Sequence, residues 1–156
     1  MCTSRLKELF VEQWKSKLYG ENFEDRNSSK LCFYKLFKTD FMRERYLGDI
    51  PNFRLRKMIT KFRCSDHYLE IEVGRHKRIP AQERICRVCK GGVETEEHFL
   101  RMCPNYTHLR NQYFGNPNSF IEWRHILKCE NKGTSFNLAN YLNKALKLRD
   151  DTINKY

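Results

Sequence analysis

Four residues that bind soft divalent metals fall within the eighteen positions from Cys86 to Cys103, CRVCKGGVETEEHFLRMC. Their spacing, Cys-x2-Cys-x8-His-x4-Cys, restricts folding more tightly than any other stretch, because one ion would have to be reached by all four. Three thiols and one imidazole make a tetrahedral Zn2+ site of the Cys3His type. Cys86-Arg87-Val88-Cys89 is short enough to form a tight knuckle presenting both sulfurs. Gly91 and Gly92 are expected to supply the positive φ of its turn. Thr95 reads as an N-cap, with Glu96 and Glu97 in a first turn that favours negative charge. That helix would carry His98 and end at Cys103, because Pro104 disfavours helix at the residue before it. The expectation is a small, mostly α-helical domain with a Cys3His zinc knuckle followed by a short helix.

Two other uses of these thiols stand beside it. Free cysteine is often a small buried hydrophobe, and Cys-x-x-Cys also serves as a redox pair. Four protein ligands leave no position for a catalytic water, so a zinc here is structural.

A chain of 156 residues suffices for one domain. Apolar residues at 40% and aromatics at 13% argue against disorder. No apolar run is long enough for a membrane span. The charged start, MCTSRLKELF, does not suit a signal peptide. With seven cysteines, an odd number, it points to an intracellular, reducing setting, nuclear or cytoplasmic. Cys2, Cys32, Cys64 and Cys129 read as packing or surface residues. Cys64 and His67 could form half of a second metal site, although no partner pair is evident.

The net charge is +11. Residues 54–90 hold eleven Lys/Arg against four Asp/Glu, a surplus of seven. Such a localised basic surface attracts polyanions, nucleic acid foremost. The other reading is a basic, solvated face without a specific partner.

Taken in order, residues 4–19 read as an amphipathic helix with Leu6, Leu9, Phe10, Trp14 and Leu18 on one face, ended by Gly20. Residues 21–30 read as a loop. A helix is expected over 31–37, with a possible continuation to Leu47, ended by Gly48. Residues 52–65 form a helix whose apolar face is offset by Arg54, Arg56, Lys57, Lys61 and Arg63. Residues 68–73 fit a strand and a helix equally. Gly74 is expected to break that element ahead of a basic loop, Arg75-His76-Lys77-Arg78, and Arg84 and Arg87 carry the charge into the knuckle. Helices follow over 104–114, from Ser119 through Leu127, and from about 135 to a frayed tail at Asp150. Three segments result: a helical stretch 1–50, the basic and zinc-binding module 51–115, and a helical stretch 116–156.

The elements YLGDI, FRLRKMITKFRCSDHYLEIEVGRHKRIP, ERICRVC and ETEEHFLRMCPNYTHLR, with Tyr113-Phe114 behind them, resemble the zinc-binding C-terminal region of proteins encoded by non-LTR retrotransposons and the related reverse-transcriptase zinc-binding domains. The resemblance places metal ligands at Cys86, Cys89, His98 and Cys103. It implies a finger-like module that binds template RNA or target DNA beside a polymerase, with a reverse-transcriptase domain encoded nearby as a partner. The Tyr/Phe-x-Asp-Asp element of a polymerase palm does not occur in the chain, nor does a nuclease pattern after the zinc motif. The family's polymerase and endonuclease activities therefore do not carry over, and the chain resembles a detached remnant.

The leading expectation is a non-enzymatic, zinc-stabilised module that binds RNA or DNA. Phosphates would be met by Arg54, Arg56, Lys57, Lys61, Arg63, Arg75, Lys77, Arg78, Arg84 and Arg87, with Tyr106 or exposed aromatics candidates for base stacking, although burial in the core is the better reading for most of them. Lys144, Lys147 and Arg149 of the terminal helix are expected to contribute much less. One rival is a zinc-containing protein–protein interaction module. Another is a nuclease using Glu94, Glu96 or Glu97, carboxylates better explained by a helix N-terminus.

Overall fold

The computed structural model describes residues 2–19, 31–115 and 120–155. Its helices are α1 (Cys2–Tyr19), α2 (Cys32–Lys35), α3 (Tyr46–Asp49), α4 (Phe53–Arg63), α5 (Glu70–His76), α6 (Thr107–Phe114), α7 (Phe120–Lys128) and α8 (Lys132–Ile153). The expected mostly α class holds. Among the described residues there is no β-strand, only an isolated antiparallel bridge between Ile85 and Val93. Expectations for Gly20, the 21–30 loop and the helix start at Ser119 lie outside the described residues.

Several boundaries differ from expectation. The chain does not stay helical from α2 to Leu47. The Asp40 carboxylate accepts from the Met42 N–H at 3.0 Å, the local bonding by which aspartate competes with a helix. Gly48 lies inside α3 rather than ending it. Asn52 caps α4, its side chain accepting from the Arg54 and Leu55 amides. The 68–73 ambiguity resolves as helix, and Gly74 sits within α5 instead of breaking it. A Cβ there would fall 2.5 Å from the Arg84 side chain, so glycine makes room for a close approach. Asn131 caps α8, and the helix runs on to Ile153 instead of fraying at Asp150.

α8 is the central element, packed against α3, α4, α6 and α7. Leu138, Ala139, Tyr141, Leu142 and Ala145 give it a fully buried stripe, and the two alanines let neighbours come close. Tyr141 stacks 5.4 Å from Phe114 and 6.1 Å from Phe99, and its hydroxyl donates to the Phe99 carbonyl at 2.9 Å. Phe99 in turn meets Phe62 of α4 and Tyr106. One hydrophobic cluster thus draws on all three sequence segments, from Leu18 and Phe33 through Phe62 and Phe99 to Trp123 and Leu142.

Candidate metal centre and basic surface

The knuckle is built by local hydrogen bonds. Cys86 N–H donates to Gly92 O at 2.8 Å, and Lys90 N–H returns to Cys86 O at 3.0 Å. Of the two glycines expected at positive φ, Gly92 has it, at 158°, but the left-handed position of the turn falls on Lys90, φ 59°, and not on Gly91. Gly91 N–H is thereby directed at the Cys89 sulfur, 3.3 Å away. Thr95 caps the following helix as its sequence suggests, its hydroxyl accepting from His98 N–H at 3.0 Å.

His98–Met102 is then a π-helical turn, closed by Cys103 N–H to His98 O at 2.8 Å. The wider turn matters to the ligands. Five residues apart on an α-helix, His98 and Cys103 would point roughly 140° away from each other. A bond from residue i to i+5 brings that spacing close to one turn. Cys103 then leaves the helix in extended geometry ahead of Pro104.

The ligand atoms of Cys86, Cys89, His98 and Cys103 all lie within 4.8 Å of one another. His98 turns Nε2 inward, 3.2 Å from Cys89 Sγ. Tetrahedral zinc, with bonds of about 2.3 Å to sulfur and 2.0 Å to nitrogen, holds its ligand atoms roughly 3.5–3.8 Å apart. Small side-chain adjustments would close the set, so the residues fit a divalent ion of this kind. Cys86, His98 and Cys103 are buried. The Cys103 thiol bonds to the Cys86 sulfur, pulling Cys86 down to about 4 and pushing Cys103 up. The sulfurs are thus crowded enough to share a proton, and a bound cation would take its place. Among the described residues there is no second group of this kind. His67, considered with Cys64, instead bonds Glu96 at 3.1 Å.

Behind the knuckle lies a polar assembly that sequence reading did not find. Glu94 is fully buried, with Oε1 3.7 Å from Cys86 Sγ. Arg149 of α8 grips its carboxylate in a bidentate pair at 2.8 and 2.7 Å, and Glu70 N–H donates to it at 2.7 Å. Glu94 therefore does serve a helix N-terminus, that of α5. Glu96 is held by Ser65 Oγ at 2.7 Å and by His67. Burial raises its pKa, but those bonds outweigh burial and keep it below the usual carboxylate range.

The cations assigned to phosphate contact separate into two groups. Arg54, Lys57, Lys77, Arg78 and Arg87 are exposed, and Lys61 is half-exposed. Lys77 and Arg78 follow α5 as a turn, whereas Arg75 and His76 belong to its last helical turn. Arg75 is tied to Glu72 at 2.6 Å. Arg56 donates to Ile50 O, and Arg84 donates to the carbonyls of Ile79 and Ile71. Arg63 does not belong to the surface. It is 2% exposed, paired with Glu44 at 2.7 Å and flanked by the rings of Tyr34, Phe37 and Tyr46. Tyr106 is likewise fully buried against Phe99, so it cannot stack on a base. Arg149 is not a bulk surface charge either, being consumed by Glu94.

The short-range signals of Thr95 and Pro104 were readable, because capping and chain termination act within a few residues. The Glu94–Arg149 pair spans 55 positions and leaves no periodic trace. No helix of the described residues is long and apolar enough to cross a membrane. Compared with protein-family models, with curated proteins and with solved structures, the chain matches none.

Proposed function

We propose that the chain is a zinc-stabilised nucleic-acid-binding module without catalytic activity, akin to the zinc-binding region of non-LTR retrotransposon reverse-transcriptase proteins, acting inside the cell. The observation that carries the metal half is the convergence of three sulfurs and His98 Nε2 within 4.8 Å. Sulfur-rich tetrahedral sets select zinc or iron–sulfur chemistry among common biological metals, and imidazole in the set favours zinc. When bound, zinc would supply cross-linking of knuckle and helix through Cys86, Cys89, His98 and Cys103.

The nucleic-acid half is supported by the charge surplus and by the exposed cations Lys77 and Arg78 after α5 and Arg87 within the knuckle. The carboxylates nearest the metal set favour a binding role over a nuclease, because each is engaged: Glu94 by Arg149, Glu96 by Ser65 and His67, Glu97 by Arg101.

Two measurements test this reading. Protein purified without chelator should contain one zinc per chain by elemental analysis, and Cys103→Ser should lower that content; a zinc-free preparation defeats the metal assignment. On duplex DNA, log affinity should fall linearly with log salt. Lys77→Gln with Arg78→Gln should flatten that slope by about two, at about 0.9 per phosphate contact. Lys7→Gln with Lys17→Gln, which removes equal charge from exposed positions of α1, should change it far less. Equal effects would mean bulk attraction only.

A further inference from the structure

Between α4 and α8 runs a groove of about 520 Å³, closed at one end by the turn that joins α4 to α5. Its lining includes Met58 of α4 and Leu146 of α8, both half-buried against the core. Tyr68 also lines it, 76% exposed and with no aromatic partner among the described residues. Such exposure is unusual for a residue whose neighbours are so firmly placed. His67 is fixed by its bond to Glu96 and by the Phe62 ring at 5.3 Å, and Leu69 is fully buried. The backbone is thus pinned on both sides of Tyr68, so its exposed ring projects from a fixed point.

The charges of the groove divide unevenly. Lys61 is matched to Asp66 at 3.6 Å, and Arg149 is held by Glu94. Among the described residues, Arg54, Lys57 and Lys147 line the groove with no carboxylate within 4.0 Å; Asp150 and Asp151 lie on the α8 side. Three unmatched cations against two carboxylates, a surplus of one concentrated at Arg54 and Lys57 on the α4 side, therefore border an apolar floor and an exposed aromatic ring.

Those three features together suit one polymer. A duplex keeps its base faces stacked inside and offers a protein phosphates and groove edges, which would leave the Tyr68 face and the apolar floor unused. An unpaired strand exposes base faces and phosphates at once, and such strands are bound by aromatic platforms beside cationic tracks. We propose that the α4–α8 groove binds single-stranded nucleic acid, one base stacking on Tyr68 over Met58 and Leu146, with the flanking phosphates on Arg54, Lys57 and Lys147. This rests on the nucleic-acid reading above and narrows it to an unpaired strand at a second surface, whose lining does not include the turn at Lys77 and Arg78.

The test uses the full chain with zinc added and fluorescein-labelled probes: a twelve-nucleotide oligo-uridine, the matching oligo-thymidine, and a twelve-base-pair duplex, read by anisotropy. Tyr68→Ala should weaken single-strand binding about tenfold, within the range that stacking of one base supports, and leave the duplex nearly unchanged. Tyr68→Phe keeps the ring face and should bind as the parent does. Lys57→Gln with Lys147→Gln should flatten the single-strand salt slope by roughly 1.4, at about 0.7 per contact. All three substituted side chains lie on the surface, and unchanged circular dichroism verifies the folding of the variants. If probes bind and respond to Lys77 and Arg78 but Tyr68→Ala leaves the single-strand to duplex ratio unaltered, the groove assignment is wrong and the broader reading survives. Binding of neither strand nor duplex overturns both. Displacement of the strand by polyglutamate at equal charge concentration, with the same dependence on Tyr68, would make the occupant an acidic protein and also overturn the proposal.

Discussion

Glu44 carries a charge whose surroundings decide its behaviour. Burial raises its pKa, but Arg63 and Lys38 more than offset that, and the net shift is downward. A carboxyl with a depressed folded pKa contributes stability that is complete above its unfolded value, about 4.3, and is lost as pH falls through the folded value. Glu44→Gln strands the nearly inaccessible Arg63 guanidinium and should cost about 3–5 kcal/mol at pH 7. The gap between parent and variant should narrow as pH drops below about 4.3. Urea titrations at several pH values measure it, and a gap constant down to pH 3 would contradict the assignment. Gly74 is a second case. Gly74→Ala would normally favour a helix by roughly 0.5–1 kcal/mol. Here it should destabilise, because the new methyl displaces Arg84 and its bonds to Ile71 and Ile79. A higher melting temperature for that variant would show that Arg84 relocates freely.

At the scale of elements, α8 depends on the knuckle as much as on its own apolar stripe. Arg149 sits near its C-terminal end yet grips Glu94, which in turn accepts from the N-terminal amide of α5. Three elements therefore share one carboxylate. Arg149→Met leaves Glu94 buried and unpaired and should cost about 3–5 kcal/mol. Adding Glu94→Gln should restore part of that loss, because the stranded charge is gone. Chemical denaturation of the two single variants and the double variant gives the coupling; strict additivity would mean that the pair does not act as a unit. α1 shows the converse. Its apolar periodicity is real, but Leu6, Leu9 and Phe10 are exposed, and only Trp14 and Leu18 among that set meet the core. Periodicity identifies a face and does not specify what covers it.

For the whole molecule, the metal set and the core are continuous. Phe99 lies between the ligands His98 and Cys103, is fully buried, and touches Phe62, Tyr106 and Tyr141 from three other parts of the chain. From the motif alone, chelation would be expected to melt residues 84–103 and spare much of the helical remainder. With Phe99 at the centre of the cluster, removing zinc should instead lower the melting temperature of the main helical signal in one transition. Structural zinc contributes on the order of 10–16 kcal/mol in small zinc peptides, comparable to the stability of an ordinary domain. Circular dichroism at 222 nm with and without EDTA reads this directly. An unchanged melting curve, with zinc shown to be released, would detach the metal from the fold.

What the amino-acid order alone determined was local. The Cys-x2-Cys-x8-His-x4-Cys spacing, the Thr95 cap, the stop at Pro104 and the helical repeats of α4 and α8 act over a few residues, so they could be read in the linear chain. The helical class followed from them. Tertiary structure decided what each charge does. Arg63, Arg84 and Arg149 are chemically the same as Arg54 and Arg78, yet the first three are consumed by Glu44, by backbone carbonyls and by Glu94. It also brought Tyr68 and Lys147, from segments far apart in the chain, to one groove, and buried Tyr106, which had been a candidate for base stacking. The reason is physical: capping and turn geometry are short-range, whereas burial of a charge or ring depends on which distant partner arrives to satisfy it.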